Sequence, residues 1–443
     1  MKIALFVHCF FPDHYYGTET YTLQIAQNLQ SLGHEVVVVA GVFQGESRRV
    51  ALITRGNYDG VPVVFLDKNF EPHTSIRETY WQEAMRPRFR ALLAELRPDI
   101  VHVTHLINHT GVLLEEVKSA GYPAVATLTD FFGFCYNNKL EAADGRLCAG
   151  PNALRTNCIA CHLKAAGVAH EARTSYGRRA LLQRLSHTLG WPRRRSANAI
   201  VPDIVQRPAK LAAAYRNYDA MLTPTLFLRD AYIRNGFDPE QLHVSRFGVD
   251  VERQSKARRF SDGPLVVGFV GQIAPHKGVD LLIEAARRMT AASIRLEIYG
   301  GQDQFPDYVA RLREMAGPET KFLGTFAPSR MSYVLSGMDI LAIPSTWYEN
   351  SPLVLLNALA THTPVLVSDV QGLTEFVTEG VNGWSFRRAD GDDLTRMLCA
   401  LAQNPDRVRQ ASEQTRYDRT TRTMAEDVVR IYDEVTKKSG ERR

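Results

Sequence analysis

The chain has 443 residues, 45% of them hydrophobic and 23% charged, with a formal net charge of +5. That is ordinary globular composition, long enough for two or three domains, and the positive excess is too mild to argue for nucleic acid. No RRM, zinc-finger or helix-turn-helix signature is present. No run of about 18 apolar residues marks a membrane-spanning helix.

The chain opens on Met1-Lys2-Ile3-Ala4-Leu5-Phe6-Val7. This run is short for a signal peptide and leads into Phe11-Pro12-Asp13-His14 without a small-residue cleavage site. It reads as a buried first strand, and a cytoplasmic protein is expected. A loop holding Gly17 follows, then a helix from about Glu19 to Leu32. Ile25, Leu29 and Leu32 lie at helical spacing, and Gly33 is the stop signal. Val36 to Val39 read as a parallel strand, as do 98–103 and 123–128.

The second half opens the same way. Leu265 to Val270 form a strand, Gly271 to His276 a loop, and Lys277 to Met289 a helix with Leu282, Ala285 and Met289 on one face. Strands at 294–299, 339–343 and 364–368 follow. Alternating strands and helices predict an α/β fold of two Rossmann-like domains facing a central cleft, with ligands beyond the carboxyl ends of the strands. The expected domains are 1–255, with a Cys-rich insertion at about 131–165, and 262–420. A charged linker, Ser255 to Gly263, joins them. A last helix within 421–443, with Val428, Ile431 and Val435 on one side, is expected to pack back toward the first domain.

The most informative segment is Trp347-Tyr348-Glu349-Asn350-Ser351-Pro352-Leu353, continuing through Leu356 to Asn357. Ser351 suits a helix cap and Pro352 a first turn. A buried helix starting here points free N–H groups and the positive end of its dipole at a ligand, which makes an anion site. Glu349 is placed to accept hydrogen bonds from sugar hydroxyls. Asn357 lies about 8 Å further along the axis. The alternative is a capping loop whose Glu serves local backbone. Lys277, after a Gly-containing loop, offers the cation that a diphosphate needs, or else is a surface charge. The Gly-rich run and Lys-Ser/Thr pair of a P-loop are absent.

In the first domain, Gly17 permits close backbone approach, and Thr18 beside it is also a good N-cap. Asp130 follows a strand and either contacts a ligand or terminates that strand. His8, His102 and His105 sit at strand ends, where a lone His is more often a packing residue. Asp390-Gly391-Asp392 reads as a helix cap rather than a metal site.

Cys9 and Cys399 stand alone. Cys135, Cys148, Cys158 and Cys161 cluster with spacing Cys-x12-Cys-x9-Cys-x2-Cys. They are either a structural zinc site or reduced, packed thiols, with an iron–sulfur site as a minor third reading. Residues 171–195 hold seven Arg and one Glu. With Leu181, Leu182, Leu185, Leu189 and Trp191 they form either a basic amphipathic helix for an anionic membrane surface or a solvated helix docked by its leucines.

Taken together, the pieces resemble the retaining glycosyltransferases of family 4, which have the GT-B fold. The similarity runs through Gly17-Thr18-Glu19, Gly248-Val249-Asp250, Gly271 to Gly278, Tyr299-Gly300, Phe322-Leu323-Gly324, Glu349 to Leu353 and Gly372-Leu373-Thr374-Glu375. Thr127 to Phe131, with Cys135 onward, looks like a subgroup bearing a Cys-rich insertion. The resemblance implies catalytic roles for Lys277, Glu349 and Asp130. It implies donor contacts at Gly17, Thr18, Gly271, Gln272, Lys277, Gly324, Glu349, Asn350, Ser351, Pro352, Leu353 and Asn357. The implied reaction moves a hexose-type sugar from a nucleotide-diphosphate sugar to a glycan or lipid-linked acceptor. Configuration is retained, no catalytic metal is used, and the setting is surface polysaccharide or glycoconjugate synthesis; if the basic segment 171–195 meets an anionic membrane, the protein sits peripherally on its inner face. Three positions depart from the family: Gln272 stands where Arg is usual, Asn357 where Glu is usual, and Thr129 where His is usual. They make the expected site less charged. They also keep open a second reading, a catalytically weakened scaffold that binds glycan or a partner transferase.

Overall fold

The computed structural model describes residues 1–167, 175–188, 197–251, 263–289 and 293–441. The chain divides into two compact units, Met1–Arg246 with Thr421–Arg443, and Phe247–Thr420. The division falls ahead of the expected boundary at 255. Tyr417 Oη donates to Phe247 O, and Val249 N donates to Arg419 O at 3.0 Å, so this backbone stays with the second unit. Of the expected linker, all but Gly263 lie outside the described residues.

The first unit runs β1 (Lys2–Val7), α1 (Gly17–Ser31), β2 (Glu35–Val42), β3 (Ile53–Tyr58), β4 (Val61–Asp67), α2 (Arg86–Leu96), β5 (Ile100–Val103), α3 (Thr110–Ser119), β6 (Ala124–Thr127), α4 (Thr156–Ala165), α5 (Ser175–Thr188), α6 (Ala197–Tyr215), β7 (Ala220–Thr223), α7 (Leu226–Arg234) and β8 (Leu242–Val244). Its sheet has the order β3-β4-β2-β1-β5-β6-β7-β8. Only the β3–β4 pair is antiparallel. β1 is apolar along its length because it is central: Ile3 to Val7 are fully buried between β2 and β5. Strand order reverses between β1 and β5, the place where open α/β sheets collect ligands. Gly33, at φ +85°, ends α1 in the left-handed conformation that glycine adopts without strain.

In the second unit come β9 (Leu265–Val270), α8 (Val279–Arg287), β10 (Ile294–Tyr299), α9 (Pro306–Met315), β11 (Thr320–Gly324), α10 (Met331–Ser336), β12 (Ile340–Ile343), α11 (Leu353–Ala360), β13 (Val365–Ser368), β14 (Gly383–Phe386), α12 (Gly391–Gln403) and α13 (Pro405–Gln414). The sheet is parallel throughout, ordered β11-β10-β9-β12-β13-β14. Its order reverses between β9 and β12. Val267 and Phe269 of β9 pack with Leu282 and Ile283 of α8 and Leu296 and Ile298 of β10 in one core.

Finally α14 (Thr421–Glu441) returns to the first unit. Its buried Tyr432 Oη lies 2.6 Å from His102 Nδ1 on β5, and His102 Nε2 meets Thr127 Oγ1 at 2.9 Å. His102 is therefore a packed core residue rather than a ligand contact.

Three local expectations change. Lys277 does not open a helix: Pro275–Lys277 is a 3-10 turn, and α8 starts only after Gly278, whose φ is +69°. An added Cβ on Gly278 would lie 2.1 Å from Pro344 O, so the chain turns tightly here before it can coil. Thr18 does not cap α1. The cap position is Tyr16, and Thr18 lies in the first turn. Ser351 does not cap α11 either. Pro352 holds that position, and Ser351 precedes it with φ +60°.

Among the described residues no helix is long and apolar enough to cross a membrane. Leu189, Trp191 and Arg193 to Arg195 of the basic segment lie outside the described residues.

Candidate active site

The sheet of the second unit fixes the site. β9 and β12 are neighbours, so the loops leaving their carboxyl ends run side by side. Thr346 N donates to His276 O at 2.9 Å, stitching one loop to the other. Lys277 comes from the first loop and Glu349 from the second, and Lys277 Nζ lies 2.6 Å from Glu349 Oε1. Ser345 Oγ donates to the same oxygen at 2.6 Å and Trp347 Nε1 at 3.1 Å. Three donors thus converge on Oε1. Lys277 Nζ also stands 5.3 Å from the centre of the Trp347 ring.

Glu349 is 7% exposed. Burial pushes its carboxyl pKa up. The Lys277 charge and the hydrogen bonds from Lys277, Ser345 and Trp347 together outweigh burial, and the group ends below its ordinary value. It is therefore a carboxylate at neutral pH. Gly372 sets its backbone: with φ +85°, an added Cβ would stand 1.6 Å from Glu349 O. Ser351, beside it, is 2% exposed and holds a left-handed φ that a non-glycine residue adopts at a cost of about 1–3 kcal/mol. Its Oγ is buried without a hydrogen-bond partner.

Around this pair, Gly271 has φ +156°, and its carbonyl would be 2.1 Å from a Cβ on Gly300. Gly324, φ +71°, accepts from Gly300 N at 2.9 Å. Gln272 Nε2 reaches Gln304 Oε1 at 2.6 Å on the surface. Asn350, Pro352 and Leu353 lead into α11, and Asn357 is half-buried one turn on. Asp390 Oδ1 accepts from Asp393 N at 2.9 Å and caps α12, as its sequence context indicates.

The first unit has its own group of polar residues, after β1 and β5. His105 Nε2 is 3.0 Å from Asp130 Oδ2, and its Nδ1 accepts from Ile107 N at 3.2 Å. The proton therefore sits on Nε2 and faces Asp130. The His8 and His105 rings lie 4.1 Å apart. Cys9 does not stand alone: its Sγ donates to Glu19 Oε1 at 3.0 Å, and His8 Nε2 lies 3.2 Å from that oxygen. Burial holds the His8 pKa well below its usual range and, with Glu19, holds the Cys9 thiol well above its own. Gly17, at the start of α1, has no atom within 4 Å of an added Cβ. The chain itself does not require glycine there.

The four clustered cysteines carry free thiols. Burial, with the neighbouring cysteines, pushes Cys158 and Cys161 up to about 12. Cys135 Sγ donates to Asn137 Oδ1 at 2.9 Å, and Asn157 Nδ2 reaches Cys148 Sγ at 3.5 Å. Cys158 also packs with Ile159, Leu163, Ala180 and Ile204 of α4, α5 and α6.

Sequence reasoning named Lys277 and Glu349 but gave no role to Ser345 or Trp347, and it missed the His8–Cys9–Glu19 group. Ser345 lies two residues past the end of β12, a position worth scanning for such partners. Cys9 and Glu19 are separated by a loop whose path the sequence does not show.

A model of the Glycosyl transferase 4-like domain matches residues 16–248, and one of Glycosyl transferases group 1 matches residues 250–418. Sucrose-phosphate synthase from Thermosynechococcus elongatus has the same fold, with a TM-score of 0.66 at 15% identity over 98% of each chain. Anabaena Alr3699/HepE, solved with UDP and glucose, gives a TM-score of 0.63 at 15% identity, over 98% of this chain and 100% of that one. Two Rossmann-like domains of this kind define the GT-B fold. The chain belongs to the Glycosyl transferase 4-like family. D-inositol 3-phosphate glycosyltransferase of Nocardia farcinica is 33% identical over 192 residues, 39% of this chain and 42% of that one. Alpha-maltose-1-phosphate synthase of Mycobacterium tuberculosis is 30% identical over 223 residues, 45% of this chain and 54% of that one. The chain thus spans about half the length of the curated relatives it matches.

Proposed function

We propose that the chain transfers a hexose-type sugar from a nucleotide-diphosphate sugar to a glycan or lipid-linked acceptor, retaining anomeric configuration. The observation that carries this is the Lys277–Glu349 pair at the switch point between β9 and β12. Lys277 supplies positive charge for the diphosphate. Glu349, its Oε1 fixed by three donors, offers Oε2 to a sugar hydroxyl. Ser351 Oγ and the first amides of α11 supply further donors. The bond from the anomeric carbon to the diphosphate oxygen breaks, the acceptor hydroxyl oxygen bonds to that carbon on the same face, and the hydroxyl proton passes to the leaving diphosphate. Charge on the leaving group is stabilised by Lys277 and backbone dipoles, without a catalytic metal. On the first unit, Asp130, held by His105, and Gly17 and Thr18 are the residues proposed to meet substrate. Transfer assays across nucleotide-sugars test this; Lys277→Ala and Glu349→Ala are expected to abolish turnover, and unchanged transfer would reject the assignment.

Membrane association through the basic segment has one observation in its favour. On α5, Ala180 is fully buried while Leu181, Leu182 and Leu185 are 41%, 61% and 44% exposed. These three leucines are solvent-exposed, as an interfacial helix requires.

A structural zinc held by Cys135, Cys148, Cys158 and Cys161 is supported by the Cys-x2-Cys spacing of Cys158 and Cys161 alone, since no three of the four sulfurs stand within 4.8 Å of one another. Zinc well below one equivalent per chain, with these thiols reduced, would sink it.

A further inference from the structure

We propose that His8, Cys9 and Glu19 form a three-ligand site for a thiophilic divalent cation, with zinc as the reference metal. None of the three is among the residues assigned to the donor site.

Geometry comes first. One ligand atom from each of the three residues lies within 4.8 Å of the other two. Among the described residues no other group of three His, Cys, Asp or Glu ligand atoms is so gathered. The individual separations are 3.0 Å from Cys9 Sγ to Glu19 Oε1 and 3.2 Å from His8 Nε2 to the same oxygen. Zinc binds nitrogen and oxygen at about 2.0 Å and sulfur at about 2.3 Å, so tetrahedral ligands stand roughly 3.3–3.5 Å apart. The two separations to Glu19 Oε1 need to widen by only about 0.1–0.5 Å to admit the ion, and the third pair of atoms lies within 4.8 Å.

Charge comes second. Glu19 and Cys9 are each 2% exposed. Among the described residues the only basic side chain paired with Glu19 is His8, which burial keeps neutral, and no Lys or Arg answers it. A buried carboxylate without a firm cation is costly. Two buried atoms of the set, Glu19 Oε2 and His8 Nδ1, have no hydrogen-bond partner. The chain's own hydrogen bonding leaves the set incomplete.

Zinc completes it with balanced charge. The ion displaces the thiol proton of Cys9, which leaves to solvent, and the thiolate and the Glu19 carboxylate neutralise its two charges. His8 moves its proton from Nε2 to Nδ1 and gives the Nε2 lone pair to the metal. One proton is released per ion bound. The fourth position stays open for water or another ligand, as in a mixed nitrogen, sulfur and oxygen site with three protein ligands. The location is also apt: β1 ends at Val7 and α1 begins at Gly17, so the set stands at the first sheet's switch point, where this fold places ligands.

The test is a zinc titration of the metal-stripped full chain by calorimetry, in two buffers of different ionisation enthalpy to count released protons, with Cys9→Ser and Glu19→Gln run beside it. The four clustered cysteines are intact in all three proteins, so any zinc they hold cancels. Wild type is expected to bind one equivalent more than Cys9→Ser and to release about one proton with it. Glu19→Gln keeps the thiol and is expected to weaken that equivalent by about tenfold or more. Cobalt(II) is expected to show a thiolate-to-metal band that loses one site's intensity in Cys9→Ser. Equal stoichiometry and affinity in wild type and Glu19→Gln overturns the site. If Cys9→Ser does not fold, Glu19→Gln alone decides.

Discussion

Lys277 Nζ and Glu349 Oε1 stand 2.6 Å apart although 72 positions separate them in sequence. They meet because β9 and β12 are sheet neighbours, and each residue leaves the carboxyl end of its strand. Glu349→Ala removes the acceptor shared by Lys277, Ser345 and Trp347. Loss of a buried partner costs about 1–3 kcal/mol, so the second unit's unfolding midpoint is expected to fall. Glu349→Gln keeps the volume and an acceptor oxygen and is expected to lose less. Denaturant titrations of the three proteins check the order.

Two glycines separate fold from ligand. Gly372→Ala places a Cβ 1.6 Å from Glu349 O at a left-handed φ; it is expected to destabilise the second unit and to disturb Glu349 with it. Gly17→Ala meets nothing within 4 Å, so its thermal midpoint is expected to hold. Its kcat/KM is expected to drop by about tenfold or more if donor phosphates approach that backbone. A Gly17→Ala enzyme of full activity removes Gly17 from the donor site.

Acid is expected to weaken the first unit through its buried histidines. Burial lowers His102 to about 3 and His109 to about 4. Unfolded, each titrates at about 6.5. Below that pH the unfolded chain takes up a proton that the folded chain refuses. The stabilisation is thus complete above about pH 6.5 and is lost as pH falls toward 4, at about 1.4 kcal/mol per pH unit for each histidine. Urea midpoints between pH 7.5 and 5 check this, a window above most carboxylate titrations. A flat profile there contradicts it.

Much of this was legible in the sequence. The strand at Leu265–Val270 and the parallel-sheet class follow from continuous apolar runs with intervening helical periods. The β3–β4 hairpin was missed, because Pro62 and the charged, Gly-containing run of β3 blur the strand pattern. Yet Asp59-Gly60, with φ of +48° and +82°, is the two-residue turn that such a pair favours. In the site, Lys277 and Glu349 were legible as residue types in context. That they pair was not, because it depends on strand order. The helix starts were misplaced at Thr18 and Ser351, good capping residues one or two positions from where the helices begin, and at Lys277, where the tight turn at Gly278 delays the helix. The His8–Cys9–Glu19 group depends on the fold of the loop from 8 to 16, which carries no periodic signal.

Outward-facing leucines on α5 give a surface prediction. Replacing Leu181, Leu182 and Leu185 with Ser is expected to leave stability within about 0.5 kcal/mol, as for ordinary surface positions, and to reduce flotation with anionic phosphatidylglycerol vesicles. Wild type that does not float with these vesicles rejects the membrane reading.

Calorimetric titration with UDP, ADP and GDP and their glucose conjugates, on wild type and Lys277→Ala, tests the donor site most directly. Wild type is expected to bind at least one of them. Lys277→Ala is expected to weaken that ligand by about tenfold or more, the loss of one charge-assisted contact. No binding to any of these nucleotides by the folded wild type, or equal binding by both proteins, contradicts a donor grip built on Lys277 and Glu349.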